Sequence, residues 1–416
     1  MCTLQQKINM QKYDYLIIGG GIAGVTAAET IRERAPDSSI GLICDESYPL
    51  YSRVMLPGYL KKKISREQLF LRQVDDFTSK RIDLRLKEEA AYVDVKRKEV
   101  GLANRIVLSY EKLLIASGGN TLDWGRPEEQ GFIYRLQTLD DADKLFQKLE
   151  TIRQPIVIGA SFISLEFLEI FVTNSIQPLL LVRTPHFFSR IFDYTGGEIL
   201  HDNFERHGIK IQFNDEIAEI TKHNTAFSVQ TKGLRILESD ALALGLGIKR
   251  NMEFIRGSGV ELGEQGVRTN EYLETSITDV WAAGDVAEFY DVILGEHHAM
   301  GNWTNAFLQG QRVGLNMTGE REPFKKVSSY SITNLGFQIT ALGNCNDGRD
   351  TIVRVDKIKN QYERFFLRDG ILVGAALINR FQDKSHLAKF IEAKVSMESY
   401  RDKLTDFGFD ITAIPA

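Results

Sequence analysis

Gly19, Gly21 and Gly24 stand near the start of the chain in G-x-G-x-x-G spacing. Glycines so placed permit a sharp turn, let backbone N–H groups approach an anion, and let the next helix lie close on its strand. The anion that suits such a turn is a pyrophosphate. The run Tyr13 to Ile18 reads as a strand, the stretch to Arg34 as a helix, and Ser39 to Cys44 as a second strand ending in Asp45 and Glu46. An acid about 20 residues past the glycines is placed to bind ribose hydroxyls. Asp45 or Glu46 fills that role, and the other is a solvated strand end.

A second unit repeats the order. Pro155-Ile-Val-Ile-Gly159-Ala-Ser161-Phe-Ile-Ser164-Leu-Glu166 leads into a helix to about Asn174, then a strand, Leu179 to Val182. Serine stands where the second and third glycines belong. Ser161 can itself bond a phosphate, whereas Ser164 hinders close helix–strand contact, so nucleotide affinity is expected to fall; the bland alternative is a decayed site. A third strand, Asp279-Val-Trp-Ala-Ala-Gly284-Asp285-Val, ends in a turn that sets one carboxylate and free N–H groups beside a polar ligand, or merely caps the next helix.

These turns need a sizeable α/β scaffold. At 416 residues the chain exceeds one core, and two or three domains are expected. Short strands fill Glu88 to Leu114 and Lys210 to Leu246, and a change after Pro323 reads as a C-terminal α+β domain with strands at Ser329 to Ile339, Thr351 to Val355, Gln361 to Leu367 and Ile371 to Leu377. A net charge of −5 leaves no basic footprint for nucleic acid. The basic run Lys61, Lys62, Lys63 reads as a solvated loop, with a docking patch for an acidic partner as the sharper reading. No apolar stretch approaches the roughly 18–20 residues of a membrane span. The polar start, Met1 to Lys12, has no signal-peptide core. Cys2, Cys44 and Cys345 have no paired spacing, so a reducing cytoplasm is expected.

Asp45-Glu-Ser-Tyr-Pro-Leu-Tyr-Ser-Arg53-Val-Met-Leu-Pro-Gly-Tyr-Leu resembles the acid…PYxRPxLS stretch of FAD-dependent rubredoxin and ferredoxin reductases, of apoptosis-inducing-factor proteins and of nitrite-reductase flavin modules. All belong to the pyridine-nucleotide–disulfide oxidoreductase superfamily. Three further segments resemble the family in the expected order: Ala116-Ser117-Gly118-Gly, the turn handing over from the FAD to the NAD domain; Leu244-Gly-Leu-Gly247-Ile-Lys-Arg-Asn, the return strand; and Thr275 to Glu288, the second FAD fingerprint. The resemblance runs over roughly residues 13 to 380.

It implies two Rossmann-like domains of glutathione-reductase type plus a C-terminal domain: FAD-binding at 12–120 and 245–322, NAD(P)-binding at 121–244, and an α+β interface domain at 323–416. It carries the ribose role to Asp45, an FAD contact to Arg53, and the ribityl contact to Asp285. Glu166 matches a glutamate that lies near nicotinamide and flavin N5, usually paired with the lysine of PLSK. Gly58 stands at that lysine's position, so Lys61 or another cation substitutes, or the carboxylate is unpaired. Trp303 and the helix it opens match the segment beneath the isoalloxazine; Trp303 lines the acceptor's approach or simply packs, and one of His297 and His298 can enter the flavin pocket. Arg183 stands where NAD-preferring relatives carry an acid; with Arg190 and His186 it favours a 2′-phosphate, hence NADPH, with NADH as the alternative.

The resemblance thus implies an enzyme with FAD as cofactor, NADPH or NADH as co-substrate, and a rubredoxin- or ferredoxin-like protein or small molecule as acceptor. A homodimer is compatible with it. Disulfide-reducing members carry a cysteine where Val54 to Tyr59 stand; none occurs here, so electrons leave the flavin directly. Two rivals remain: a thiol-dependent oxidase or reductase using Cys44, and a non-catalytic flavin-bearing signalling protein.

Overall fold

The computed structural model describes residues 11–122, 124, 131–223, 226–346 and 350–415. They form two compact units, one of residues 11–52, 70–120 and 249–325, the other of 53–69, 121–248 and 326–415.

The first unit is built on a sheet whose strands lie in the order Ile82–Leu86, Ile40–Cys44, Gln11–Ile18, Val107–Ile115, Glu99–Leu102, Ala90–Asp94. The first four pair in parallel. Val107–Ile115 is long enough to divide one edge: residues 107–109 pair antiparallel with Glu99–Gly101, while 113–115 pair parallel with Val280–Ala282. All five residues of Ile40–Cys44 are buried, as a parallel strand covered on both faces requires. Helices Ile22–Arg34 and Trp303–Met317 cover one face. They approach so closely that a Cβ on Gly310 would lie 2.4 Å from the Ala23 carbonyl oxygen, and one on Gly314 2.8 Å from Thr30 Cβ.

The second unit holds a five-stranded parallel sheet in the order Lys210–Phe213, Leu179–Val182, Pro155–Ile158, Ala241–Leu244, Ile133–Tyr134. Helix Phe162–Thr173 follows the glycine turn. A three-stranded antiparallel sheet, Ile217–His223, Ala226–Thr231 and Ile236–Ser239, accompanies it. The C-terminal part is a five-stranded antiparallel sheet in the order Ser329–Asn334, Phe337–Gly343, Ile371–Ile378, Gln361–Arg368, Asp350–Asp356. The expected single strand Ser329 to Ile339 is instead a hairpin: Leu335 and Gly336 both take positive φ (49° and 76°), the twist a two-residue turn needs. The sequence disguises it, because Leu335 is a poor advertisement for that conformation.

Candidate functional site

In the first unit the glycine turn leaves Gln11–Ile18 and enters Ile22–Arg34. Gly19 takes φ +119°, and a Cβ there would stand 2.1 Å from the Ala116 carbonyl oxygen. A Cβ on Gly24 would stand 2.0 Å from the Gly19 carbonyl oxygen, whereas one on Gly21 would meet nothing within 4 Å. The turn is therefore tight where it packs and open where a ligand would approach. Gly21, the N-cap, brings no capping side chain, and the first turn of the helix holds no acid, so its N-terminal end favours an anion. Asp45 is exposed, while Glu46 accepts from the Tyr51 hydroxyl at 2.5 Å. The exposed carboxylate is the one that the resemblance assigns to ribose.

The turn after Val107–Ile115 is clamped to Asn251. The Ser117 hydroxyl donates to the Asn251 carbonyl (2.7 Å), Asn251 Nδ2 donates to Ser117 O (3.1 Å), and Asn251 N donates to Gly118 O (3.0 Å). Gly118 has φ +61° and open space at its Cβ position. Gly284, with φ +78°, donates its N–H to Gln309 Oε1 (2.7 Å), and Arg250 Nε donates to the Asp285 carbonyl (2.7 Å). The Asp285 carboxylate lies against Gly301, where a Cβ would be 3.1 Å from Oδ2. Asn302 caps helix Trp303–Met317 through its side-chain oxygen. Among the described residues, Asn302 Nδ2 and Gln309 Nε2 are buried donors with no partner. Buried donors are rarely left orphaned, so a polar ligand against this edge is expected. Trp303, at the first helical position, is half-buried against the core. The His298 imidazole is half-buried, edge-on to Phe289, and desolvation lowers its pKa; His297 lies beside Arg268.

Cys44 is sealed between strand and turn: a Cβ on Gly20 would be 2.6 Å from its Sγ, and burial pushes its thiol up to about 12. Such a thiol is not a nucleophile at neutral pH.

In the second unit Gly159 has φ +106°. Ser161 and Ser164 form a reciprocal capping box on helix Phe162–Thr173, with Ser164 N donating to Ser161 Oγ at 3.2 Å. Ser164 is fully buried. It is accommodated because position 245 is glycine: a Cβ there would fall 2.0 Å from Ser164 Oγ. The lost glycine of the turn is thus matched by one on the neighbouring strand end. Gly247 has φ +99° and carries the next turn. Arg183 and Arg190 are exposed, the former at the end of Leu179–Val182. The His186 ring nitrogen Nε2 is already engaged with Phe192 O (3.1 Å).

Arg53 Nη1 donates to Gln137 O (2.5 Å). Lys61 does not pair with Glu166. Its ammonium binds Glu169, one helical turn further on, and Glu169 also accepts from Asn334 Nδ2 (3.3 Å) and Leu335 N (3.2 Å). Burial, and secondarily Glu169, push the Glu166 carboxyl up to about 7, against the lowering effect of Lys61. Tyr330 packs on Phe162 at 4.1 Å between ring centroids, and burial together with the Glu166 charge pushes its hydroxyl up to about 12. Lys62 pairs with Glu150, leaving Lys63 as the exposed remainder of the basic run.

With this geometry in place, the pattern described as "Pyridine nucleotide-disulphide oxidoreductase" matches residues 13–310, spanning both glycine turns and the Gly284–Asp285 strand end. The chain belongs to the pyridine nucleotide-disulphide oxidoreductase family. Residues 331–395 match the "Rubredoxin NAD+ reductase C-terminal domain". The chain is 26% identical over 393 residues to the NADH-rubredoxin oxidoreductase of Clostridium acetobutylicum, covering 94% of this chain and 97% of that one. It is 24% identical to the ferredoxin–NAD(+) reductase component of the biphenyl dioxygenase system of Paraburkholderia xenovorans, covering 95% and 96%. The crystal structure of a ferredoxin reductase from Rhodopseudomonas palustris superposes with a TM-score of 0.87 at 24% identity, over 96% and 99% of the two chains.

This member of the pyridine nucleotide-disulphide oxidoreductase family is an FAD-dependent NAD(P)H oxidoreductase. The open glycine turn and the orphaned donors beside Gly284 fit such a dinucleotide. Sequence reasoning passed over four residues that the fold brings to these sites. Asn251 and Gln309 clamp turns through side-chain amides, and only the isolated "Asn after a return strand" and "Gln-Gly" signals hinted at them. Glu169 was legible as an i+3 neighbour of Glu166, but its partner lies 108 positions away in sequence. Tyr330 carries no local signal at all.

Proposed function

We propose that this oxidoreductase oxidises NADH or NADPH and passes the electrons, without a redox disulfide, to a rubredoxin- or ferredoxin-like protein. The observation that carries this reading is the sealed state of Cys44, together with the absence of any thiol from Val54 to Tyr59. When bound, FAD supplies a ring that takes hydride from nicotinamide and gives electrons up singly. The chain's own residues bind and orient. The N–H groups at Gly19, Gly21 and Gly24 face the pyrophosphate, Asp45, rather than Glu46, holds the ribose, and Arg53, Ser117, Gly118, Gly284 and Asp285 hold the rest of the cofactor. Gly159, Ser161, Arg183 and Gly247 hold the nicotinamide nucleotide; Glu166 stands beside the nicotinamide, and Trp303 lines the acceptor's approach. Domains at 12–120 with 245–322, at 121–244 and at 323–416 divide this work, in a cytoplasmic protein. The relatives whose names mention rubredoxin and ferredoxin support the acceptor class.

Anaerobic mixing of the holoenzyme with each nucleotide in a stopped-flow instrument tests the reading. Flavin absorbance bleaches within the mixing experiment and returns on adding rubredoxin or a ferredoxin. Recovery only with a disulfide, or no bleaching with either nucleotide, overturns it. Arg183→Glu lowers the NADPH-to-NADH ratio of kcat/KM by about tenfold, a change worth ~1.4 kcal/mol.

A further inference from the structure

Helix Phe162–Thr173 presents two carboxylates, Glu166 and Glu169, three residues apart and therefore on one face. Among the described residues, Lys61 is the one cation that pairs on that face, and its ammonium sits on Glu169, both side chains being largely buried (11% and 15% exposed). Glu169 is fixed from the C-terminal sheet as well, by Asn334 Nδ2 and the Leu335 N–H. Among the described residues no hydrogen bond or ion pair reaches the Glu166 carboxylate. The elements packed around it add little charge. Strands Pro155–Ile158 and Ala241–Leu244 carry no titratable side chain, helix Leu56–Leu60 carries only Tyr59, whose hydroxyl is bonded to Asp143, and Ser329–Asn334 contributes the neutral Tyr330.

We infer that Glu169 is a positioning residue that holds Lys61 away from Glu166 and so leaves the Glu166 carboxyl unpaired and able to take up and release a proton during turnover. The inference rests on the reading of Glu166 as the group beside the nicotinamide. It supplies what that reaction requires. A hydride carries two electrons and one proton, and an electron-carrier protein takes only the electrons. Each NAD(P)H oxidised by two one-electron acceptors therefore yields NAD(P)+, two reduced acceptors and one proton. That proton passes to the Glu166 carboxylate and on to water. A carboxylate locked to a lysine would hold its charge and be a poor acceptor, whereas one raised toward neutrality by burial both accepts and releases.

The test follows turnover of the holoenzyme from NADH to ferricyanide across pH. The wild-type kcat profile has an inflection near neutrality, and Glu166→Gln abolishes it. Glu169→Gln frees Lys61 to turn toward Glu166 and moves the inflection down by about one pH unit or more. Lys61→Gln moves it in the opposite direction. Flavin content and melting temperature, measured alongside, respond to packing damage but do not shift a pH profile. If Glu166→Gln leaves the inflection in place, the role given to Glu166 is wrong. If Glu166→Gln abolishes it while Glu169→Gln and Lys61→Gln leave it where it was, the role stands and the positioning inference falls. Should Glu169→Gln fail to fold, Lys61→Gln decides alone: an unmoved inflection overturns the inference.

Discussion

Gly24 and Gly21 are three residues apart and face opposite demands. A methyl at Gly24 would press on the Gly19 carbonyl oxygen at 2.0 Å, and backbone must shift to admit it. Gly24→Ala therefore lowers the unfolding free energy of the apoprotein by about 1–3 kcal/mol, read from urea denaturation. Gly21→Ala meets open space and costs only the difference between an alanine and a glycine N-cap, about 0.5–1 kcal/mol, but its methyl stands on the face proposed to receive the pyrophosphate. FAD titration by fluorescence quenching shows weaker binding for both. Glu166 makes a second test at this scale. Its folded carboxyl lies near 7 against an ordinary value of 4.5, so the native state binds the proton more tightly than the unfolded chain. The stability this group contributes is full below about pH 4.5 and lost as pH rises through about 7. Compared with Glu166→Gln, the wild-type protein accordingly loses urea resistance between about pH 5 and about pH 8.

Among the elements, the two glycine-turn helices differ at their N-termini. Ile22–Arg34 starts at an uncapped glycine, whereas Phe162–Thr173 is closed by the Ser161–Ser164 box. The cap satisfies N–H groups that a pyrophosphate would otherwise use, so a nucleotide at the second turn is expected to bind less tightly than one at the first. Ser161→Ala removes the cap and costs about 1 kcal/mol, while Ser161→Gly costs only a few tenths, by thermal or urea unfolding. The glycine variant also opens the helix end, and its KM for NADH falls below that of the wild type. An unchanged KM would mean that the serine hydroxyl replaces in full what the bare N–H groups give.

For the molecule as a whole, the two glycine turns lie in different compact units, and on the proposed reading FAD takes the first and the nicotinamide nucleotide the second. A ligand stabilises only the unit whose native form it binds, by about 2.7 kcal/mol at a hundred times its dissociation constant. Calorimetry of the apoprotein is expected to show a transition that rises with added FAD. NAD+ moves a different part of the thermogram. A single transition shifted equally by either ligand would show that the two units melt as one. No helix among the described residues is long and apolar enough to cross a membrane.

The sequence by itself determined both βαβ units, their glycine turns and the Gly284–Asp285 strand end, because each is written in contiguous residues whose local conformation needs particular side chains. Gly19, Gly118, Gly159, Gly247 and Gly284 all take the positive φ that favours glycine. Exclusion of a thiol relay was also legible, since it rests on which residues are absent between Val54 and Tyr59. Only the tertiary structure sets Asp45 apart from Glu46, by giving the latter to Tyr51. It alone showed how Ser164 is tolerated, through Gly245 just past a strand, 81 positions away, and where Lys61 goes. Those outcomes turn on contacts between segments far apart in the chain, where burial and competition for one cation set the result, and local sequence carries no record of either.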